Sequence, residues 1–435
     1  MPEPIIQAKT VTSVIRLYFP LQTPSYFKFR SKAISRKGWS VDHMIDSGFY
    51  LSYIGRIFNK NGLNSDCLVL CKKLQNKNYL LPPYSFSVDH ARIFSFDTSV
   101  ALLELNILFS CDNPEDIANL VAVLRCCNHA KVCYGKDETV CVNTIAEQIL
   151  EGLDPYILFN HIDSCGETRA DLFISMIIPQ SENDINLHAY RIANGLDSRC
   201  KEIPESGVNS FSLYPHVQWE ISNRGICNTG IITSNERNNK FISQNWFPHS
   251  KHRYIIWYIL ALHQKYALYH FLNEIAKNNA VSSLKKTQEK IVFFNTKYRF
   301  SIISEETSYQ KPYEMFCEIL GLEKQFADID DEIERISEYH EAISNKNNTK
   351  SMTIISILCA IATLKEFYDL VKETDSMESI FNSFLSLSSG GKFMYVFFLL
   401  SMIISIIILI PKNNIIKWFK NSIQKFLNLI FQKRL

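Results

Sequence analysis

The sequence lacks every short motif that would announce catalysis. No G-x-x-x-x-G-K-[ST], G-x-G-x-x-G, H-E-x-x-H or G-x-S-x-G occurs in its 435 residues. Phosphate-cradling glycine loops, the zinc-protease helix and the hydrolase nucleophile elbow are therefore all missing. The chain reads as a non-enzyme with no catalytic residue. An excess of charge of one sign is lacking too: 46 Lys and Arg stand against 44 Asp and Glu, a formal charge of +2, so no direct nucleic-acid partner is expected. The opening MPEPIIQAKTVTSVIRLYF has no apolar run preceded by basic residues, so no secretory signal is expected. Cysteine is present 12 times but never as Cys-x-x-Cys. The densest group, Cys126, Cys127, His129, Cys133 and Cys141, has zinc and reduced thiols as its two readings. The missing pair favours thiols in a cytoplasmic domain, and no metal site is expected.

What is present is concentrated at one end. Phe393–Ile410, FMYVFFLLSMIISIIILI, is an 18-residue run with no charged residue, which at ~1.5 Å per residue approaches the ~30 Å hydrocarbon thickness of a bilayer. A transmembrane helix is expected there. A weaker candidate begins at Met352–Leu364, MTIISILCAIATL, and is expected to continue through Val371 with a polar outer end. Lys346 and Lys350 precede the first span, and Lys412, Lys417, Lys420, Lys425, Lys433 and Arg434 follow the second. The positive-inside rule then places both termini in the cytoplasm of a multi-pass plasma-membrane protein. In the first span Ser356, Ala360, Thr363 and Glu366 recur every three or four residues. They form a stripe expected to line a pore, which one helix cannot enclose, so a homo-oligomer is implied. The tail after Pro411 alternates apolar and basic residues at helical spacing and is expected to lie on the inner leaflet.

The remainder has a mean hydropathy and size suited to soluble domains: the whole chain averages −0.05. Ser13–Phe19, Thr98–Ser110 and Ala170–Pro179 read as strands, as do FSLYPHVQWEI and GICNTGIITS around a turn at Asn223–Gly225. NPEDIANLVAVLRCC carries a helix start and an apolar face, and Asn186–Asn194 is a second candidate helix. From Tyr254 onward Gly and Pro almost vanish, and long helices are expected, the last a charged stalk running to Asn348. The expected fold class is thus an α/β cytoplasmic N-terminal domain, a long-helix stalk and two C-terminal transmembrane helices. Its parts are a sensor domain 1–250, a helical domain and stalk 251–350, two spans with their outer loop 351–411, and a basic interfacial helix 412–435.

One stretch suggests a ligand. Tyr26–Trp39, YFKFRSKAISRKGW, sets cations among aromatic rings, a mixture that holds phosphate by charge and a base by stacking. Lys28, Arg30, Lys32, Arg36 and Trp39 are the candidate ligand-binding residues, with a solvated basic surface as the alternative. His263 and His270 lie two turns apart on the first long helix and read as packing or capping groups.

At Glu338–Ala362, the residues Asn348, Lys350, Met352, Thr353, Ile354 and Ile355 follow a pattern of Asn, a basic residue, Met or Leu and Thr-Ile-Ile. With the two-span architecture, this resembles the CorA-like membrane proteins, although their Gly-Met-Asn mark is missing. YILALHQKYALYHF looks more like divergent CorA-like proteins found beside type III CRISPR systems. The resemblance implies a ligand-gated homo-oligomeric membrane effector or channel in antiviral defence. A small anionic nucleotide second messenger, such as SAM-AMP or a cyclic oligoadenylate, would open it. The alternative is a divergent divalent-cation transporter for ions such as Mg2+.

Overall fold

The structure is a computed structural model that describes residues 11–373 apart from 24, 37, 43–47, 60–61, 127–130, 135–137, 154–156, 159–169, 180–183, 205–208 and 278–280. The chain divides into two compact units, Met1–Ile333 and Glu334–Leu435.

The first unit is built on a twelve-stranded sheet. Its strands are β1 (Val11–Gln22), β2 (Ser40–Val41), β3 (Cys67–Leu81), β4 (Tyr84–Phe96), β5 (Val100–Cys111), β6 (Lys131–Tyr134), β7 (Glu138–Cys141), β8 (Ile157–Leu158), β9 (Asp171–Pro179), β10 (Ser210–Tyr214), β11 (Val217–Ile221) and β12 (Gly225–Ile232). The order is β10-β11-β12-β9-β1-β5-β4-β3-β6-β7, with β2 on β3 and β8 on β1. Among these strands only β9 and β12 pair in parallel. The helices are α1 (Tyr26–Ser35), α2 (Ser52–Asn59), α3 (Pro114–Arg125), α4 (Val142–Leu150), α5 (Ile185–Asn194), α6 (Glu236–Phe241), α7 (Phe247–His252), α8 (Ile255–Lys277), α9 (Val281–Tyr298), α10 (Thr307–Ile319) and α11 (Leu322–Glu373). A π-helical turn, Ile242–Trp246, joins α6 to α7.

Strand β1 lies between β5 and β9, so both of its edges are paired, and both of its faces are buried in cores, its sequence VTSVIRLYFPLQ being apolar in both phases. Val14 and Tyr18 point to one core, shared with Phe96, Phe173 and Trp219 and covered by Trp257, Tyr258 and Ala261 of α8. Ile15, Leu17 and Phe19 point to the other, shared with Ile117, Leu120 and Val121 of α3 and Ile192 of α5. Helix α3 starts where its sequence says it should: Asn113 Oδ1 accepts from the Glu115 amide at 2.8 Å, Pro114 opens the first turn, and Glu115 and Asp116 sit at its positive end.

Helix α8 is a core helix, with every residue from Tyr254 to His263 buried. His263 stacks on Phe96 at 3.7 Å between ring centres, its Nε2 lies 2.7 Å from Thr98 Oγ1, and burial pushes its pKa well below the ordinary imidazole value. His270 lies 3.3 Å from Glu274, whose carboxyl is held down at about 2 chiefly by that contact, with Lys290 adding to it. Both histidines are packing and pairing groups.

Over the described residues the expected membrane architecture is not what forms. Among the described residues no helix is long and apolar enough to cross a membrane. Met352–Leu364 belongs to α11, a single 52-residue helix continuous with the charged stretch before it. Its uncharged part, Ser351–Leu364, is 14 residues long before Lys365, Glu366 and Asp369, short of the ~20 a span needs. The sheet also corrects the simple strand-then-helix expectation, because all but one of its pairings are antiparallel. Phe393–Ile410, the outer loop and the tail 412–435 lie outside the described residues.

Beneath α5, Glu220 of β11 is buried, and burial pushes its carboxyl from near 4.5 up to about 7 against a hydrogen bond from the Asn209 backbone. Because the folded-state value is the higher one, the unfolded chain releases this proton first as pH rises. Glu220 therefore costs stability progressively between about pH 4.5 and 7, and fully above that. Glu220→Gln is expected to raise the melting temperature at pH 8 by about 3 °C, an effect of about 1 kcal/mol in a domain this large, and to change it little at pH 4.5. Thermal melts of both proteins at the two pH values check this.

Candidate functional site

The residues of the Tyr26–Trp39 stretch form α1 and the turn after it, capped by Ser25. The fold gives each of them different surroundings. Arg30 is fully buried: Nε donates to Ser95 Oγ at 3.2 Å, and Nη1 donates to the carbonyls of Leu63 and Ser65 at 2.8 and 2.6 Å. Its Nη2 donates to the carbonyls of Asp66 and Ser95. Lys28 and Lys32 are exposed. The Arg36 guanidinium fills the space where a Cβ on Gly152 would stand, and Gly152 holds the left-handed φ of +72° just past the end of α4. Trp39 is buried in the second core, with Lys72 Nζ 5.8 Å from its ring. Of the expected pore stripe, Ser356 is half-buried on α11, whereas the side chains of Ala360, Thr363 and Glu366 lie outside the described residues.

A different set of polar side chains does converge. On the face of the sheet that carries the first core, the apolar rows give way to polar ones across β4, β5 and β1. Arg92 pairs with Glu104, and Glu104 with Tyr18; one step along, His90 pairs with Asn106, and Asn106 with Arg16. Glu104 is fully buried and accepts from Tyr18 Oη at 2.8 Å and Arg92 Nη1 at 3.4 Å. Arg92 also contacts Asp42 at 2.8 Å. Sharing Glu104's charge with these partners leaves Arg16 at 3.9 Å from it, beyond a hydrogen bond.

Arg16 is 1% exposed, and only its Nη2 has a hydrogen-bond partner, the Lys251 carbonyl at 3.2 Å. Nε and Nη1 have none. The guanidinium lies 5.6 Å from the centre of the Phe173 ring, and burial lowers its pKa against the opposing pull of Glu104. A neighbouring imidazole, His252, is shifted as well. It is pushed down to about 4, by burial first and then by Arg92, Arg16 and Lys251, with Asp42 pulling the other way. Glu104 and Asp42 in turn raise the pKa of Arg92 against its burial, so cations and carboxylates are interleaved here.

Unpartnered polar atoms continue along the same face. Asn106 Oδ1, Ser175 Oγ of β9 and both amide atoms of Asn228 on β12 are buried without hydrogen bonds. Each such atom costs about 1–3 kcal/mol, and folded proteins keep few of them. Ser175 Oγ and Asn228 Nδ2 add donors to those of Arg16, whereas the Oδ1 atoms of Asn106 and Asn228 are acceptors, so this face carries both. Among the described residues, no group of three or more His, Cys, Asp or Glu is placed to hold a metal ion.

The sequence reading of Ser13–Phe19 as a strand did not single out Arg16. The only signal that could have marked it is a charge in the middle of SVIRLYF, a run otherwise apolar on both faces. No family model, curated protein or solved structure matches the chain, so nothing outside it assigns this site.

Proposed function

We propose that this chain is a ligand-responsive effector whose sheet domain takes up a small phosphate-bearing anion, a nucleotide second messenger, on the polar face around Arg16. The observation that carries this reading is the Arg16 side chain itself: a guanidinium 1% exposed, in which Nε and Nη1 make no hydrogen bond and the one carboxylate contact, Nε to Glu104, is long at 3.9 Å. Guanidinium is the donor best matched to phosphoryl oxygens, and charge-assisted bonds are the strong ones in a low-dielectric site. The absence of a catalytic motif favours a sensor over an enzyme. Helix α11 is the proposed output element, and its response would act within a homo-oligomer in antiviral defence.

The proposed place of action is the plasma membrane, carried by the uncharged run Phe393–Ile410 alone. Full-length protein should sediment with membranes, and a chain ending at Glu373 should not; full-length protein in the soluble fraction contradicts this.

Titrating full-length protein with pyrophosphate or ADP at low salt should raise its melting temperature in a saturable way, as any ligand that binds only the folded state must. No shift with either probe at millimolar concentration contradicts the reading.

A further inference from the structure

We propose that helix α1 docks the sheet domain onto an anionic bilayer surface, with Phe27 and Ile34 entering the acyl region while Lys28 and Lys32 hold lipid phosphates. The inference goes beyond the anion site at Arg16 and uses none of its residues.

Ser25 opens α1 by accepting from the Lys28 amide, and the helix residues then divide between two sides. Phe29, Arg30 and Ala33 are buried. Phe27, Lys28, Ser31, Lys32, Ile34 and Ser35 are exposed. At ~3.6 residues per turn, Phe27, Ser31 and Ile34 follow one line along the helix, and Lys28, Lys32 and Ser35 follow the next. The outward face therefore carries two large apolar side chains, 45% and 42% exposed, in a row beside two ammonium groups.

A helix facing only water has a different pattern, with its apolar residues turned inward and its exposed lysines offset by Glu three or four positions away. From Tyr26 to Val41 the chain has five Lys and Arg and no Asp or Glu. Asp42 pairs with Arg92 and Asp66 with Lys297, each at 2.8 Å, and Glu151 adjoins Gly152 at the Arg36 end of the helix. The outward face is thus cationic and apolar at once.

That combination selects the partner. A nucleic acid would engage the lysines and leave Phe27 and Ile34 in water, and a neutral apolar groove would do the reverse. The headgroup layer of an anionic bilayer satisfies both, with phosphates above and acyl chains below, and lysine stems are long enough to reach up from a helix lying in it. The uncharged run Phe393–Ile410, as the proposed place of action has it, brings the same chain to a bilayer. Arg30 fastens the inner side of α1 to Leu63, Ser65, Asp66 and Ser95, so contact at this face engages the whole sheet domain.

The test places a photoreactive benzoylphenylalanine in full-length protein at Phe27, at Ile34 or, as a control, at Val292, an apolar residue of α9 that is 51% exposed. Each protein is mixed with vesicles of phosphatidylcholine alone, or of phosphatidylcholine and phosphatidylglycerol in equal parts, irradiated, and examined by mass spectrometry. Positions 27 and 34 should form lipid adducts on the mixed vesicles, severalfold more than position 292 and severalfold more than on phosphatidylcholine. Lys28→Glu with Lys32→Glu should lower the yield at position 27 tenfold or more, since each lysine at an anionic surface is worth about fivefold in binding. The same pair should leave the melting temperature unchanged, because both lysines are exposed. Yields at 27 and 34 no higher than at 292, yields indifferent to phosphatidylglycerol, or adducts to protein instead of lipid overturn the docking face while the bilayer placement by Phe393–Ile410 stands. Protein that associates with neither kind of vesicle overturns both.

Discussion

Replacing Arg16 by Met is expected to weaken binding of pyrophosphate or ADP by ten- to a hundredfold without lowering the stability of the ligand-free protein. The binding loss follows from removing charge-assisted donors, each worth about 1.5–3 kcal/mol, which converts to roughly that range of affinity. The stability expectation is less usual for a buried charge and follows from its surroundings. Two of the three guanidinium nitrogens make no hydrogen bond, the Nε contact with Glu104 is long at 3.9 Å, and Glu104 keeps Tyr18 and Arg92 without it. Methionine fills similar volume against Phe173, and apolar replacements of buried ionic groups are often neutral or stabilising. Calorimetric titration and thermal melts of the same two proteins separate the effects. A structural arginine would give the reverse result, with unchanged binding and a lower melting temperature.

Arg30 should behave as that reverse case. Its guanidinium supplies hydrogen bonds to the carbonyls of Leu63, Ser65, Asp66 and Ser95 and to the Ser95 hydroxyl. Arg30→Ala strips donors from four buried or part-buried carbonyls at once and leaves a cavity under α1. The expected cost is about 3–5 kcal/mol, a fall in melting temperature of about 10 °C or failure to accumulate as folded protein. Arg30→Lys should not rescue it, because an ammonium cannot span the same carbonyls. Lys28→Ala and Lys32→Ala, both exposed, should change stability by less than about 0.5 kcal/mol. If Arg30→Ala folds with normal stability and loses phosphate binding instead, the ligand site belongs on α1.

The contrast between Arg16 and Arg30 shows what a sequence can and cannot reveal. Ser13–Phe19, Thr98–Ser110 and Ala170–Pro179 are legible as strands because β-branched and aromatic residues cluster there, and each lies within or almost wholly within an observed strand. The start of α3 is legible because Asn113, Pro114 and two acids obey local rules. Strands β3 and β4 are harder to see: CLVLCKKLQNKNYLL mixes apolar residues with lysine and asparagine, and its register shifts between Lys73 and Lys77.

Burial of single charges is harder still. Lys28, Arg30 and Lys32 look alike on paper, and only the contact of α1 with the 63–66 loop and β4 makes one of them a core residue. Arg16 is buried partly by Lys251, 235 residues away along the chain, a contact no local pattern encodes. The aromatic richness of α8 has a similarly distant cause, since Trp257 packs against Phe173 and Trp219 of the sheet. The apolar stretch at Met352–Leu364 misled in the other direction: apolarity over 13 residues reads as a span only if the charged residues after it are set aside.

The claim on which this account turns is that a buried guanidinium on the sheet face is an anion receptor. Its most direct test is the position of a bound tungstate, a heavy phosphate analogue, in an anomalous difference map of the full-length protein. The account predicts a peak within hydrogen-bonding distance of Arg16 Nε or Nη1, absent in Arg16→Met. Peaks confined to Lys28, Lys32 or other surface cations, with none at Arg16, would contradict it.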